Sequence, residues 1–214
     1  MGIWGRRWLP WLVLALTGIA AALPGIRDPA LRSAGHALVV DEPVQPVDII
    51  VLAVWAGRSG AIDAADLVHA GIASRVAVLP EPPLPAEDEL VRRGVHLQNP
   101  AADRVELLHA LGVDRVEVIP EAADGTEAEG PLLAAWCDRQ QFRSVIVVSA
   151  PDHSRRVRRV LRRSMSGHQT RVLIRSARFA AFDPDRWWQS RNGVRTGIAE
   201  LQKLLFDIAR HPFS

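Results

Sequence analysis

The sequence holds one cysteine, Cys137, and one lysine, Lys203. A single thiol excludes an internal disulfide and any cysteine-based metal cluster. No grouping of His, Asp and Glu has metal-ligand spacing, and His69, His96, His109 and His168 are scattered, so no metal is expected. The chain has no G-x-G-x-x-G, no Walker loop and no G-x-S-x-G. It therefore lacks the dinucleotide fingerprint, the phosphate loop of the NTPases and the nucleophile elbow of the hydrolases. Without that elbow, Ser149, Asp152 and His153 make a poor hydrolase cluster.

Acid is missing in one place. From His153 to Phe182 there is no Asp or Glu, while Arg occurs nine times. The whole chain is nearly balanced, with a formal charge of +2 and a sequence pI of about 9.4, so the asymmetry is local. Near-exclusive use of Arg over Lys, with abundant Ala, reflects GC-rich coding rather than a nucleic-acid partner. No aromatic residue interleaves the run before Phe179, as base stacking would require.

What is present bounds the organisation. With 214 residues, 48% of them hydrophobic, the chain suits one α/β domain and a short extension. Arg6 and Arg7 precede Trp8 to Ile26, an uncharged stretch of 19 residues bounded by Arg27 and Asp28. As a helix it would reach roughly 28 Å, close to the hydrocarbon thickness of a bilayer. The positive-inside rule favours a cytoplasmic N-terminus, and Trp4, Trp8 and Trp11 suit the interface. Residues 1–26 are therefore expected to be a transmembrane signal anchor in the bacterial inner membrane, with the domain on the extracytoplasmic side. Pro10, Pro24 and the Ala20–Ala22 run leave a cleaved signal peptide open. Residues 27–46, punctuated by Pro and charge, read as a linker.

From residue 47 apolar runs alternate with helical patterns. Strands are expected at 47–54, 75–80, 115–120, 144–150 and 171–177. Helices are expected at 57–71, 101–113 and 129–140, then over the Arg-rich stretch and over roughly 184–210. A Pro-rich loop after residue 80 leads into a short helix. Such alternation implies parallel βαβ units in a sheet covered on both faces. Ligands of such sheets lie beyond the carboxyl ends of the strands. That rule singles out residues 56–59, 81, 121–126, 149–154 and 176–178.

"SAPDHSRRVRRVLRR", residues 149–163, lies at one of those ends. Cations in the first turn of a helix oppose its dipole, so Arg155 and Arg156 invite an explanation. His153, Arg155 and Arg156, with Ser149 and the free N–H groups of the helix, suit a phosphate or carboxylate. The plainer reading is an amphipathic helix with Val157, Val160, Leu161 and Met165 inward and arginines in solvent. It accounts for Arg158, Arg159, Arg162 and Arg163, but not for Arg155, Arg156 or His153.

"EAADGTEAEG" follows the third strand. Thr126 and Glu129 have capping-box spacing. Glu121 and Asp124 stand at the expected pocket rim, as ligand contacts or as ordinary loop acids. "VWAGRSG" after the first strand offers small residues and Arg58 for close approach to a ligand. In the tail, Trp187 and Trp188 read as packing anchors, and Ile198, Leu201, Leu204 and Leu205 as a core-facing stripe.

Together these segments resemble the YdcF-like family, whose members include SanA and ElyC. The likeness runs from about Val47 to Phe206. It is carried by "VDIIVL" with Arg58, "GVDRVEVIPEAADGTEAE", "VIVVSAPDHSRRV" and the tail "WWQSR" to "AELQKLL". The family's strand–His–x–x–Arg element corresponds to His153 and Arg156. Its Glu and Thr correspond to Glu121 and Thr126, and Glu200 and Lys203 fit its tail. This chain departs in having "AVWAG" where the family has a Gly-rich turn, and Glu129 where it has Asn. The resemblance implies a Rossmann-like fold, membrane anchoring and a part in envelope or peptidoglycan maintenance.

Two functions follow as expectations. One is a membrane-anchored envelope protein binding a small anionic or phosphorylated ligand, as an enzyme with His153 as acid or base. The other is a non-catalytic module for S-adenosylmethionine or a lipid-linked precursor, the former being the reported ligand of one relative. The cofactor is open, and no nucleic-acid partner is expected.

Overall fold

The computed structural model describes residues 23–97 and 99–213. Five parallel strands form one sheet: β1 (Ile49–Leu52), β2 (Val76–Val78), β3 (Val116–Val118), β4 (Ser144–Ser149) and β5 (Arg171–Ser176). Their order is β3-β2-β1-β4-β5. The strand order reverses between β1 and β4, which makes their carboxyl ends the switch point of a Rossmann-like fold.

The strands are shorter than the apolar runs that announced them, because the chain turns into helix or loop as soon as pairing ends. β1 and β2 are buried at every position, as expected when helices cover both faces. One face packs Ile49, Val51, Val145 and Val147 with Trp136, Cys137, Val157 and Leu161. The other packs Ile50, Leu52, Val76 and Ile146 with Ala61, Ala64, Ala65 and Leu108.

The helices are α1 (Pro24–His36), α2 (Gly57–His69), α3 (Pro85–Arg92), α4 (Pro100–Ala110), α5 (Thr126–Gln140), α6 (Pro151–Ser164) and α7 (Arg191–Arg210). Between β1 and α2 a 3-10 turn, Val54–Ala56, ends at Gly57, whose φ of 59° suits glycine. Most of the expected anchor lies outside the described residues; its last three residues open α1. No helix among the described residues is long and apolar enough to cross a membrane.

Residues 27–46, read as a linker, are packed onto the domain. α1 presents Leu31 and Ala34 to a cluster of Leu38, Phe182, Trp187 and Leu204. The Trp187 indole N–H donates to the Leu31 carbonyl at 2.8 Å. Asp41 and Glu42 then accept bonds from the backbone N–H groups of Ser176 and Ile174 on β5, the edge strand. The polar residues that suggested a linker serve as acceptors for an unpaired strand edge.

The tail also departs from expectation. The buried positions of α7 are Gly193, Gly197, Glu200, Leu204 and Asp207, while Ile198 and Leu205 are exposed. Two carboxylates on the inner face are matched by the arginines of α6. Arg156 bonds Glu200, and Arg159 and Arg163 both reach Asp207. The Arg-rich helix is thus mostly not a solvated face. Its core stripe holds, with Val157, Val160 and Leu161 buried.

Candidate functional site

A crevice of about 610 Å³ opens at the switch point. It is lined by Trp55 after β1, Gly125 and Thr126 at the start of α5, Ala150, Asp152, His153 and Arg156 at the start of α6, and Arg195, Glu200 and Lys203 of α7. A lobe of about 320 Å³ shares Trp55, Ala150 and Asp152 with it. Another cavity, of about 560 Å³, is lined by Asp138, Arg143 and His168. It lies at the amino ends of β4 and β5, the wrong end of a parallel sheet for a ligand site.

A line of polar contacts forms the crevice floor. His153, buried in the first turn of α6, brings Nε2 to 3.0 Å from Thr126 Oγ1. Its Nδ1 is 2.8 Å from Arg156 Nη2 and 3.2 Å from Glu200 Oε2. Arg156 Nε also donates to Glu200 Oε2 at 3.2 Å, and Lys203 donates to Glu200 Oε1 at 2.7 Å. A guanidinium can only donate. Nδ1 therefore accepts from Arg156, and the ring proton sits on Nε2, donating to the Thr126 hydroxyl.

The charges agree with this assignment. Burial holds the His153 imidazole below its ordinary value and so keeps it neutral. Burial pushes the Glu200 carboxyl up, but the hydrogen bond from Lys203 and the Arg156 charge hold it below its ordinary value. Asp152, on the crevice wall, is raised by burial. Behind the floor, burial pushes the Glu129 carboxyl up to about 7, and its Oε1 has no partner.

Thr126 and Glu129 do not form the expected capping box. Gly125, at φ 79°, is the N-cap of α5, and no side chain caps the helix. Thr126 is the first helical residue, so its hydroxyl is directed to His153, and Glu129 is buried within the first turn. α6 also lacks a side-chain cap. The amino end of α5 therefore faces the crevice with uncapped N–H groups, whereas α6 opens on Pro151, which has none, and its His153 N–H bonds the Ala150 carbonyl.

The other expected site residues lie elsewhere. Arg155 sends Nε to the Ala37 carbonyl at 3.0 Å and Nη2 to the Val39 carbonyl at 3.1 Å. Its charge at the helix start is met by backbone oxygens of the segment after α1, and it does not line the crevice. Glu121 pairs with Arg139 on the outside of α5. Arg58 and Asp124 are exposed and off the crevice lining. Ser149 is wholly buried at the end of β4, with its hydroxyl unpartnered. Thr126, His153 and Arg156 are the expected residues that the fold brings together.

Arg104, on α4, is buried and has no signal of this in the sequence. It donates to the Val54 carbonyl at 3.2 Å, beneath the turn that carries Trp55. On its helix it reads as one more surface charge, and only the sheet behind it makes it internal. Among the described residues no group of three or more His, Cys, Asp or Glu side chains could hold a metal ion.

No protein-family model matches the chain, and neither does any curated protein.

Proposed function

We propose that this is a membrane-anchored envelope protein whose crevice binds an anionic or phosphorylated ligand, with His153 moving protons there. One observation carries the ligand class. The uncapped amino end of α5 and the cations Arg156, Arg195 and Lys203 converge on a crevice floored by Thr126 and His153. Free N–H groups and the positive end of a helix dipole suit an oxyanion, and so do the cations. Two acids also line the crevice: burial raises the Asp152 carboxyl, and Glu200 is paired with Arg156 and Lys203. The envelope role rests on the uncharged run after Arg6 and Arg7 and on the resemblance to the YdcF-like family.

Arg156 on Nδ1 favours a second reading, a binding module without catalysis. In that state His153 offers a donor at Nε2 and no base. Such a module would hold S-adenosylmethionine or a lipid-linked precursor.

Melting of the full chain in detergent tests the ligand class. Phosphate or sulfate should raise Tm beyond chloride at matched ionic strength, since ligand binding to the native state stabilises it. The double change Arg195→Gln with Lys203→Gln should remove most of that rise. Equal melting in all three salts refutes the anion site. Metabolite accumulation in cells carrying His153→Ala, absent from wild type, separates the enzyme from the binding module. Alkaline phosphatase fused after Ser214 tests the topology, and a silent fusion refutes export.

A further inference from the structure

Three groups meet at the Nδ1 side of His153, and their hydrogen-bonding capacities conflict. Nδ1 and Glu200 Oε2 stand 3.2 Å apart. With Nδ1 accepting from Arg156, both of these atoms are acceptors, and only the guanidinium between them makes the approach tolerable. With Nδ1 occupied by the Arg156 donor and Glu200 ionised, no proton lies between them at rest. Without Arg156, two lone pairs would face each other in a buried site.

Resting on the anion reading above, we infer that Arg156 is a positioning residue whose release by an anionic ligand reverses the hydrogen bond between His153 and Thr126. Arg156 lines the crevice together with the amino end of α5, where an oxyanion would compete for its guanidinium. When Arg156 turns to that ligand, Nδ1 takes up a proton from crevice water and donates it in a hydrogen bond to Glu200. Nε2 gives its proton to crevice water, so the ring stays neutral and the proton count is unchanged.

Nε2 then presents a lone pair to Thr126, and the threonine hydroxyl changes from acceptor to donor. A hydroxyl that donates to a carboxylate-supported imidazole is arranged for deprotonation, as in nucleophilic catalysis. Thr126 stands at the first position of α5, where the helix dipole stabilises a developing alkoxide. At rest this arrangement is disarmed; a bound phosphate group arms it. The two functional readings thus describe two states of one site, and ligand charge selects between them.

The test is nitrogen NMR of the full chain in detergent, labelled with 15N in histidine, with inorganic phosphate as the probe. In a neutral imidazole the bare nitrogen resonates far downfield of the protonated one. Without phosphate, the downfield signal of His153 should be Nδ1. At saturating phosphate, Nε2 should move downfield and Nδ1 upfield. Arg156→Met, which removes the donor, should show the armed pattern with no phosphate present. If the ligand-free wild type already carries a bare Nε2, the inference is overturned. It is equally overturned if phosphate raises Tm while Nδ1 stays bare. If phosphate does not bind at all, the anion reading fails and Arg156→Met decides the inference by itself. Should that variant not fold, the wild-type spectra decide it, and an unmoved His153 overturns it.

Discussion

Thr126 Oγ1 lies 3.0 Å from His153 Nε2, joining the start of α5 to the first turn of α6 in a buried contact. Since Thr126 caps nothing, its truncation acts through His153. Thr126→Ala leaves a buried N–H without a partner, at a cost of about 1–3 kcal/mol. Thr126→Ser restores the hydroxyl and should recover most of that loss. Urea midpoints for the three proteins decide it: an alanine variant as stable as wild type means that the contact does not form.

Arg155 and Arg156 are neighbours with separate tasks. Arg155→Met should free the segment after α1, since two of that segment's carbonyls lose their donor. Hydrogen exchange should then quicken around residues 38–42, while the phosphate-dependent rise in Tm persists. Arg156→Met should show the converse, with segment protection retained and the phosphate response weakened. Identical behaviour of the two variants rules out this division.

The acids Glu129 and Glu200 should bend the pH dependence of stability in opposite directions. The Glu129 carboxyl is raised from 4.5 to about 7. The folded protein therefore holds a proton that the unfolded chain has lost, and stability falls as pH rises through this window. The full shift corresponds to roughly 3 kcal/mol. Glu129→Gln should flatten that fall, as read from urea unfolding at several pH values. Glu200, lowered to about 2, contributes stability above pH 4.5 that is lost as pH falls toward 2. Parallel curves for wild type and Glu129→Gln between pH 4.5 and 7 would show that Glu129 is ionised throughout.

Gly197 is required by a neighbour. An added Cβ would fall 2.5 Å from a ring carbon of Trp187, which also lies against Gly35 and Gly193. Gly197→Ala should cost about 1–3 kcal/mol by overpacking. Reducing the neighbour as well, with Trp187→Leu, should recover part of the loss. An additive double variant would mean that the two residues do not touch.

The sheet was legible because five apolar runs, separated by helical periods, leave few alternatives to a parallel α/β fold. Their order and the switch point were not, since pairing is settled by contacts distant in sequence. His153 and Arg156 were legible as polar residues at a strand exit, where a cation offends the helix dipole. Arg155 carried the same signal for a different reason, because nothing local shows that the Ala37 and Val39 carbonyls will meet it. The inner face of α7 is not legible from apolarity. Gly193, Gly197, Glu200, Leu204 and Asp207 keep helical spacing, but only one of them is a large apolar residue. The pairing of Glu200 and Asp207 with arginines on α6 marks that face, and it is visible only once both helices are placed.

The mixed attachment of α7 has a consequence for how its two halves answer to pH. Its first half is pinned against Trp187, whose backbone carbonyl meets Gly193 and whose ring meets Gly197, a joint indifferent to pH. Its second half is held by buried ion pairs to α6, which acid loosens by protonating Asp207. α7 is therefore held by apolar contact near its start and by charge toward its end. The amides of its second half should lose protection as pH falls through the range of the Asp207 carboxyl, while those beside Gly193 and Gly197 hold.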